Sequence, residues 1–111
     1  MRSASSSLAE GTIQIVMNND LDRAIALHKM GKLDEAEKLY LRIIETDKNN
    51  FTILQLLGTL YLQKKNFNLS EKFLLKSLKY DQLNPGTINN LGILKKNTND
   101  FEKALEYFEL I

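Results

Sequence analysis

Leu56-Leu57-Gly58-Thr59-Leu60-Tyr61 and Asn90-Leu91-Gly92-Ile93-Leu94-Lys95 share the pattern Leu-Gly-x-Leu, and they lie thirty-four residues apart. The same shift pairs Leu33 with Phe67 and Phe101, Ala36 with Ser70 and Ala104, and Tyr40 with Leu74 and Phe108. It also pairs Asp47 with Asp81, Asn50 with Asn84, and Ala24 with Gly58. Three frames follow without insertion, at 17–50, 51–84 and 85–111, and the third falls short of a full period. A fixed period of this length marks a stacked array, in which one unit cannot cover its own apolar face.

Each frame reads as a pair of helices. Apolar residues recur at helical spacing in Tyr40 with Ile43-Ile44, in Leu54, Leu57 and Tyr61, and in Phe67, Phe73-Leu74 and Leu78. Gly31, Asn66 and Asn99-Asp100 interrupt the middle of the frames, and Asn49-Asn50 and Asn84-Pro85 the ends. Asn50, Asn66, Asn84 and Asp100 suit the N-cap, where a short side chain accepts from an unpaired backbone N–H. Pro85, the one proline, suits the first helical position. The small residues Ala24, Gly58 and Gly92 on first helices, and Ala36, Ser70 and Ala104 on second helices, predict close backbone approach. The large side chains of Tyr40, Leu74 and Phe108 are expected to fill the neighbouring gap.

Composition excludes much chemistry. The 111 residues carry a net charge of +1, no cysteine and one histidine, so disulfides, thiolate nucleophiles and Cys-based metal sites are ruled out. No Gly-rich phosphate loop or nucleophile–base pair is legible, and the chain is expected to be non-catalytic, with no cofactor and no metal. No apolar run is long enough to cross a bilayer, and a cytoplasmic location is expected. Five lysines against two acidic residues put +3 on frame 51–84, and most of these lysines fall on its second helix, which reads as a solvated back. Nucleic-acid binding is not expected, because the aromatics Tyr40, Phe67, Phe73, Phe101 and Phe108 fall at packing positions.

The period and the small-residue positions resemble the tetratricopeptide repeat family. The resemblance implies an all-α, right-handed α-solenoid of about three helix–turn–helix units, about six helices, with the last unit truncated. Departures from the pattern are Lys48 and Gln82 where a proline is usual, Lys65 and Asn99 where a glycine is usual, and Asp20, Leu54 and Ile88 where a tryptophan often stands. The phrases 26–40, Leu56-Leu57-Gly58-Thr59-Leu60 and Asn89-Asn90-Leu91-Gly92 are similar to bacterial members of the family. There such repeats often precede a glycosyltransferase or sulfotransferase domain, so the chain resembles the N-terminal module of such proteins.

In such arrays the first helices line a concave groove. The resemblance implies that the groove positions are Asn18, Leu21, Asp22, Ile25, His28 and Lys29 in the first unit, Thr52, Gln55, Leu56, Thr59, Leu62 and Gln63 in the second, and Gly86, Asn89, Asn90, Ile93, Lys96 and Asn97 in the third; of these, Leu21, Ile25, His28, Gln55, Leu56, Thr59, Gln63, Asn89, Asn90, Ile93 and Asn97 are the candidate peptide-binding residues. Amide side chains both donate and accept, which suits the backbone of an extended peptide, and Leu21, Ile25, Leu56 and Ile93 suit an apolar floor. Asn90 stands where sugar-transferase arrays carry an asparagine ladder, but Asp22 and Leu56 occupy the equivalent positions. The clamp that holds acidic C-terminal tails in chaperone-binding members needs Lys and Asn where this chain has Leu21 and Ile25. It also needs Lys and Arg where this chain has Gly86 and Asn90. A protein or peptide ligand of another kind is therefore expected. His28 reads as a solvent-facing residue.

Residues 1–11 read as a disordered lead or an expression scar, and 12–111 as the repeat array. Thr12-Ile13-Gln14-Ile15 is compatible with either a helix or an extended strand. The last frame stops inside a helix at Leu110-Ile111, from which a fragment of a longer chain is expected. Uncovered apolar residues at 8–17 or at Leu110 and Ile111 predict a homo-oligomer, so the alternative function is self-assembly or an accessory domain of a larger glycosyltransferase-like protein.

Overall fold

The computed structural model describes residues 20–111, and among them are six helices and no strand. They are α1 (residues 20–29), α2 (Leu33–Thr46), α3 (Phe51–Gln63), α4 (Phe67–Tyr80), α5 (Pro85–Asn97) and α6 (Phe101–Glu109). The fold is the expected all-α helical repeat. The readings for residues 1–11 and 12–17 lie outside the described residues. The chain divides into two compact units, Met1–Ile43 and Ile44–Ile111.

Short polar side chains set where each helix starts. The carboxamide oxygens of Asn50, Asn66 and Asn84 accept from the N–H groups of Ile53, Leu69 and Thr87 at 3.1, 3.2 and 3.1 Å. The Asp100 carboxylate accepts from Lys103 N–H at 3.3 Å. Each bond satisfies a donor that has no partner within its own helix. Two caps are held in turn from behind. Asn50 Nδ2 donates to Asp47 Oδ2 and Asn84 Nδ2 to Asp81 Oδ2, both at 3.1 Å. This Asp-x-x-Asn link stiffens the turn between frames where Lys48 and Gln82 replace the usual proline.

The turn inside each frame is a Schellman motif, used three times. Lys32, Asn66 and Asp100 N–H groups donate to the carbonyls of Leu27, Tyr61 and Lys95, five residues back. Gly31, Lys65 and Asn99 N–H groups donate to His28, Leu62 and Lys96. The residue two positions before the second helix takes a left-handed backbone each time, with φ of 81° at Gly31, 62° at Lys65 and 64° at Asn99. The geometry persists where glycine is absent, because Asn66 and Asp100 both complete the motif and cap the next helix.

Packing in Met1–Ile43 rests on the buried residues Ala24, Ala36, Leu39 and Tyr40. His28 is half-buried, not solvent-facing as the sequence reading has it, and its Nδ1 lies 3.0 Å from the Tyr40 hydroxyl with the rings edge-on. Tyr40 is fully buried, and burial pushes its phenol pKa up to about 12.

In Ile44–Ile111, α3 packs on α4, α4 on α5, α5 on α6, and α3 also on α5. Leu62, Leu74, Leu91 and Leu94 form a core cluster, with Phe67, Leu78, Ile93 and Tyr107 against it. Leu62 therefore belongs to the core and not to the groove, because its neighbours on α4 and α5 close over it. A Cβ on Gly58 would lie 2.5 Å from Leu74 Cδ2, and one on Gly92 would lie 2.5 Å from Phe108 Cε1. The two glycines thus receive equivalent large residues, as the period predicts. Ser70 Oγ donates to the Gly58 carbonyl at 2.7 Å across the same contact. Ser77 Oγ donates to the Phe51 carbonyl at 2.8 Å and lies 3.5 Å from the Thr87 hydroxyl, so one buried residue ties α4 to both first helices. Tyr61 stacks on Phe73, and Lys95 Nζ meets Glu71 Oε2 at 2.5 Å. The hydrogen bond to Glu71 raises the Lys95 pKa above the usual lysine range. Phe101 departs from its expected packing position and is exposed, whereas its counterpart Phe67 packs on the core cluster to which α5 contributes Leu91 and Leu94.

Candidate functional site

Thr59 on α3 and Asn90 on α5 carry the polar contact that bridges the two first helices of Ile44–Ile111. Asn90 Nδ2 donates to Thr59 Oγ1 at 2.7 Å, and the Thr59 hydroxyl donates to the Gln55 carbonyl one turn back at 2.9 Å. The hydroxyl thus both donates and accepts, which fixes the Thr59 rotamer and aims the Asn90 carboxamide along the surface between the helices. With its amide nitrogen engaged, the Asn90 carbonyl oxygen is the acceptor left to that surface.

Gln55 is held beside this pair. Its Nε2 approaches Gly86 so closely that a Cβ there would lie 2.5 Å away. Glycine in the first turn of α5 therefore makes room for the Gln55 carboxamide. Leu56 and Ile93 are half-buried, and Ile93 also packs on the core cluster. Gln55, Thr59 and Asn90 thus bring two carboxamides and a hydroxyl together between α3 and α5, with Leu56 and Ile93 on the same two helices.

The remaining candidates fall apart from this constellation. Asn89, Gln63 and Asn97 are exposed on α3 and α5. Leu21, Ile25 and His28 are half-buried on α1, in the other unit, where His28 is engaged with Tyr40. Sequence reasoning placed Gly86 at a groove position but missed its role as the space that Gln55 occupies. The signal was the glycine following Pro85, in a turn where most residues would serve. Among the described residues no group of three His, Cys, Asp or Glu is placed to hold a metal ion, and no helix is long and apolar enough to cross a membrane.

Comparison with known proteins agrees with the repeat. The tetratricopeptide repeat family matches residues 20–50, 51–82 and 86–111. The chain is 31% identical over 81 residues to BBSome complex member BBS4 of Bos taurus, covering 73% of this chain and 16% of that one. Among solved structures, the second TPR of Spaghetti (RPAP3) bound to the HSP90 peptide SRMEEVD matches with a TM-score of 0.77 at 22% identity, over 83% of this chain and 85% of that chain. At that identity the likeness is one of fold. MamA MSR-1 C2 matches with a TM-score of 0.68 at 26% identity, over 78% of this chain and 50% of that chain. With its period and paired helices in agreement with these matches, the chain belongs to the tetratricopeptide repeat family, whose domains generally mediate protein–protein interaction.

Proposed function

We propose that the face between α3 and α5 binds an extended, uncharged protein segment, and that the chain is a non-catalytic interaction scaffold. The observation that carries this reading is the Asn90–Thr59 bond, which orients one carboxamide between two helices beside Gln55 and the aliphatic pair Leu56 and Ile93. A peptide backbone offers alternating N–H and C=O groups, which amide side chains match without a charge. Asn89, Gln63 and Asn97 are further exposed amides on the same two helices, and Leu21, Ile25 and His28 hold groove positions of the first repeat. The array is read as 12–111 with units 17–50, 51–84 and 85–111, in a cytoplasmic protein.

The ligand differs from the acidic peptide of the Spaghetti structure. A clamp for such a tail needs cations, and Leu21, Ile25, Gly86 and Asn90 supply none. The reading as an accessory module ahead of a glycosyltransferase-type domain rests on sequence phrases alone.

The test is selection of short random peptides against the full chain, followed by titration of the selected peptide into isotope-labelled protein. Shift changes are expected at Gln55, Thr59, Asn90 and Ile93, and Asn90→Ala is expected to weaken binding by roughly fivefold to tenfold, the worth of one or two hydrogen bonds. Tighter binding of SRMEEVD than of neutral peptides, or shifts confined to α4 and α6, would overturn the reading.

A further inference from the structure

We propose that the outer face of α4 docks an acidic segment of another protein, one that sets an aliphatic side chain among its carboxylates. The proposal is independent of the α3–α5 face.

Lys72, Leu75, Lys76 and Lys79 are exposed, and their helical spacing puts them on one face of α4. The three ammonium groups stem from about 10 Å of helix, around a leucine that is 45% exposed. The carboxylates nearest to them in the chain are engaged elsewhere. Glu71 pairs with Lys95 of α5, and Asp81 accepts from Asn84 Nδ2 at 3.1 Å. Lys72 and Lys79 lie over the rings of their own neighbours Phe73 and Tyr80, 6.0 Å from Nζ to each ring centre. Among the described residues no carboxylate pairs with Lys72, Lys76 or Lys79.

Helix stability does not call for this row. Like charges three and four residues apart repel, and the helix dipole favours a cation in the last turn, which holds Lys79 alone. Nor does the repeat impose it. Lys38 and Arg42 stand one period earlier, but with Glu45 in the place of Lys79, and one period later Glu106 and Glu109 replace Lys72 and Leu75.

The occupant follows from charge and extent. Three unbalanced cations call for an anion, and the anion has to be short. Equivalent positions of a stacked repeat face the same way, and on α6 those positions expose Glu102, Glu106 and Glu109. A nucleic-acid strand or an anionic bilayer spreads its charge over far more than the row and would run onto these carboxylates. A phosphate backbone also has nothing to set against Leu75. A protein segment of about two helical turns matches the row in length, with carboxylates for the lysines and an aliphatic side chain for Leu75. A second copy fits poorly, because the carboxylates of its α6 stand beside Lys103, 3.8 Å from Glu106, which would face the lysines.

The probe is a blocked helical peptide of about 14 residues with Glu at positions i, i+4 and i+7 and Leu at i+3, against a scrambled peptide of the same composition. Titrated into the isotope-labelled full chain, the patterned peptide is expected to shift Lys72, Leu75, Lys76 and Lys79 and to leave Gln55, Thr59 and Asn90 unmoved. That pattern separates this face from the α3–α5 face. The scrambled peptide is expected to bind about threefold more weakly or worse, and added salt to weaken both. Lys76→Glu is expected to weaken the patterned peptide about tenfold, by turning an attraction into a repulsion. Leu75→Ser is expected to weaken it about threefold with the salt dependence unchanged, since only apolar contact is lost. Both positions are exposed, and helical circular dichroism is expected to stay the same. Equal binding of the scrambled peptide, an unaltered constant for Leu75→Ser, tighter binding of single-stranded DNA or phosphatidylserine vesicles, or shifts on the α4 face when the protein alone is concentrated would overturn the proposal.

Discussion

Lys65 adopts φ 62°, a left-handed conformation that costs a residue with a Cβ about 1 kcal/mol or more. Asn99 adopts the same conformation at φ 64°, but asparagine tolerates it better. Lys65→Gly is accordingly expected to stabilise the protein by about 0.5–1 kcal/mol after the entropy of glycine in the unfolded chain is deducted. Asn99→Gly is expected to change stability by less. Urea denaturation of both variants checks the ordering. Tyr40 supplies a pH dependence at the same scale. Its folded pKa of about 12 lies above the unfolded value near 10, so the folded state keeps a proton that the unfolded state loses. Its contribution is full below about pH 10 and is lost as pH rises from there to about 12. Ultraviolet titration is expected to show a late-ionising tyrosine that disappears in Tyr40→Phe. Lys95, raised by its bond to Glu71, works in the same direction, with the pair intact below the ordinary lysine range.

Helix pairs depend on where a methyl group fits. At Gly58 an added Cβ meets two atoms of the Leu74 side chain at 2.5 Å and the Leu74 backbone nitrogen at 3.2 Å. The backbone cannot yield cheaply, so Gly58→Ala is expected to cost about 1–2 kcal/mol despite the better helix propensity of alanine. At Gly86 the atom at 2.5 Å is the end of the flexible Gln55 side chain, which can swing aside. Gly86→Ala is expected to leave stability unchanged or raised by up to about 0.5 kcal/mol, since alanine is the better helix former. It is also expected to weaken peptide binding at the α3–α5 face by displacing Gln55. Thermal melts separate the two glycines, and calorimetry with a selected peptide reads the second effect. Loss of a cap acts at the same scale. Asn84→Ala removes both the bond from Thr87 N–H and the link to Asp81, and is expected to cost about 1 kcal/mol.

Across Ile44–Ile111, burial is uneven, and local stability is expected to follow it. In α3 seven residues are buried, from Ile53 to Leu62, whereas α6 buries Ala104 alone. Native-state hydrogen exchange is expected to show the slowest amides in α3 and fast opening of α6. Much of this protein was legible in its residues. The 34-residue period, the four N-caps, Pro85 at a helix start and the glycine–large-residue contacts all follow from local chemistry or from self-comparison, because each repeat must meet its own kind in the same way. The family resemblance, and not the period by itself, named Gln55, Thr59 and Asn90 as groove positions. Other features depend on what stands opposite in space. That Leu62 is core, that His28 turns to Tyr40, that Asn90 meets Thr59 and that Phe101 is uncovered were decided by tertiary structure. Helical periodicity assigns a residue to a face, but only the neighbouring helix, contributed by a distant part of the chain, determines whether that face is covered, paired or open.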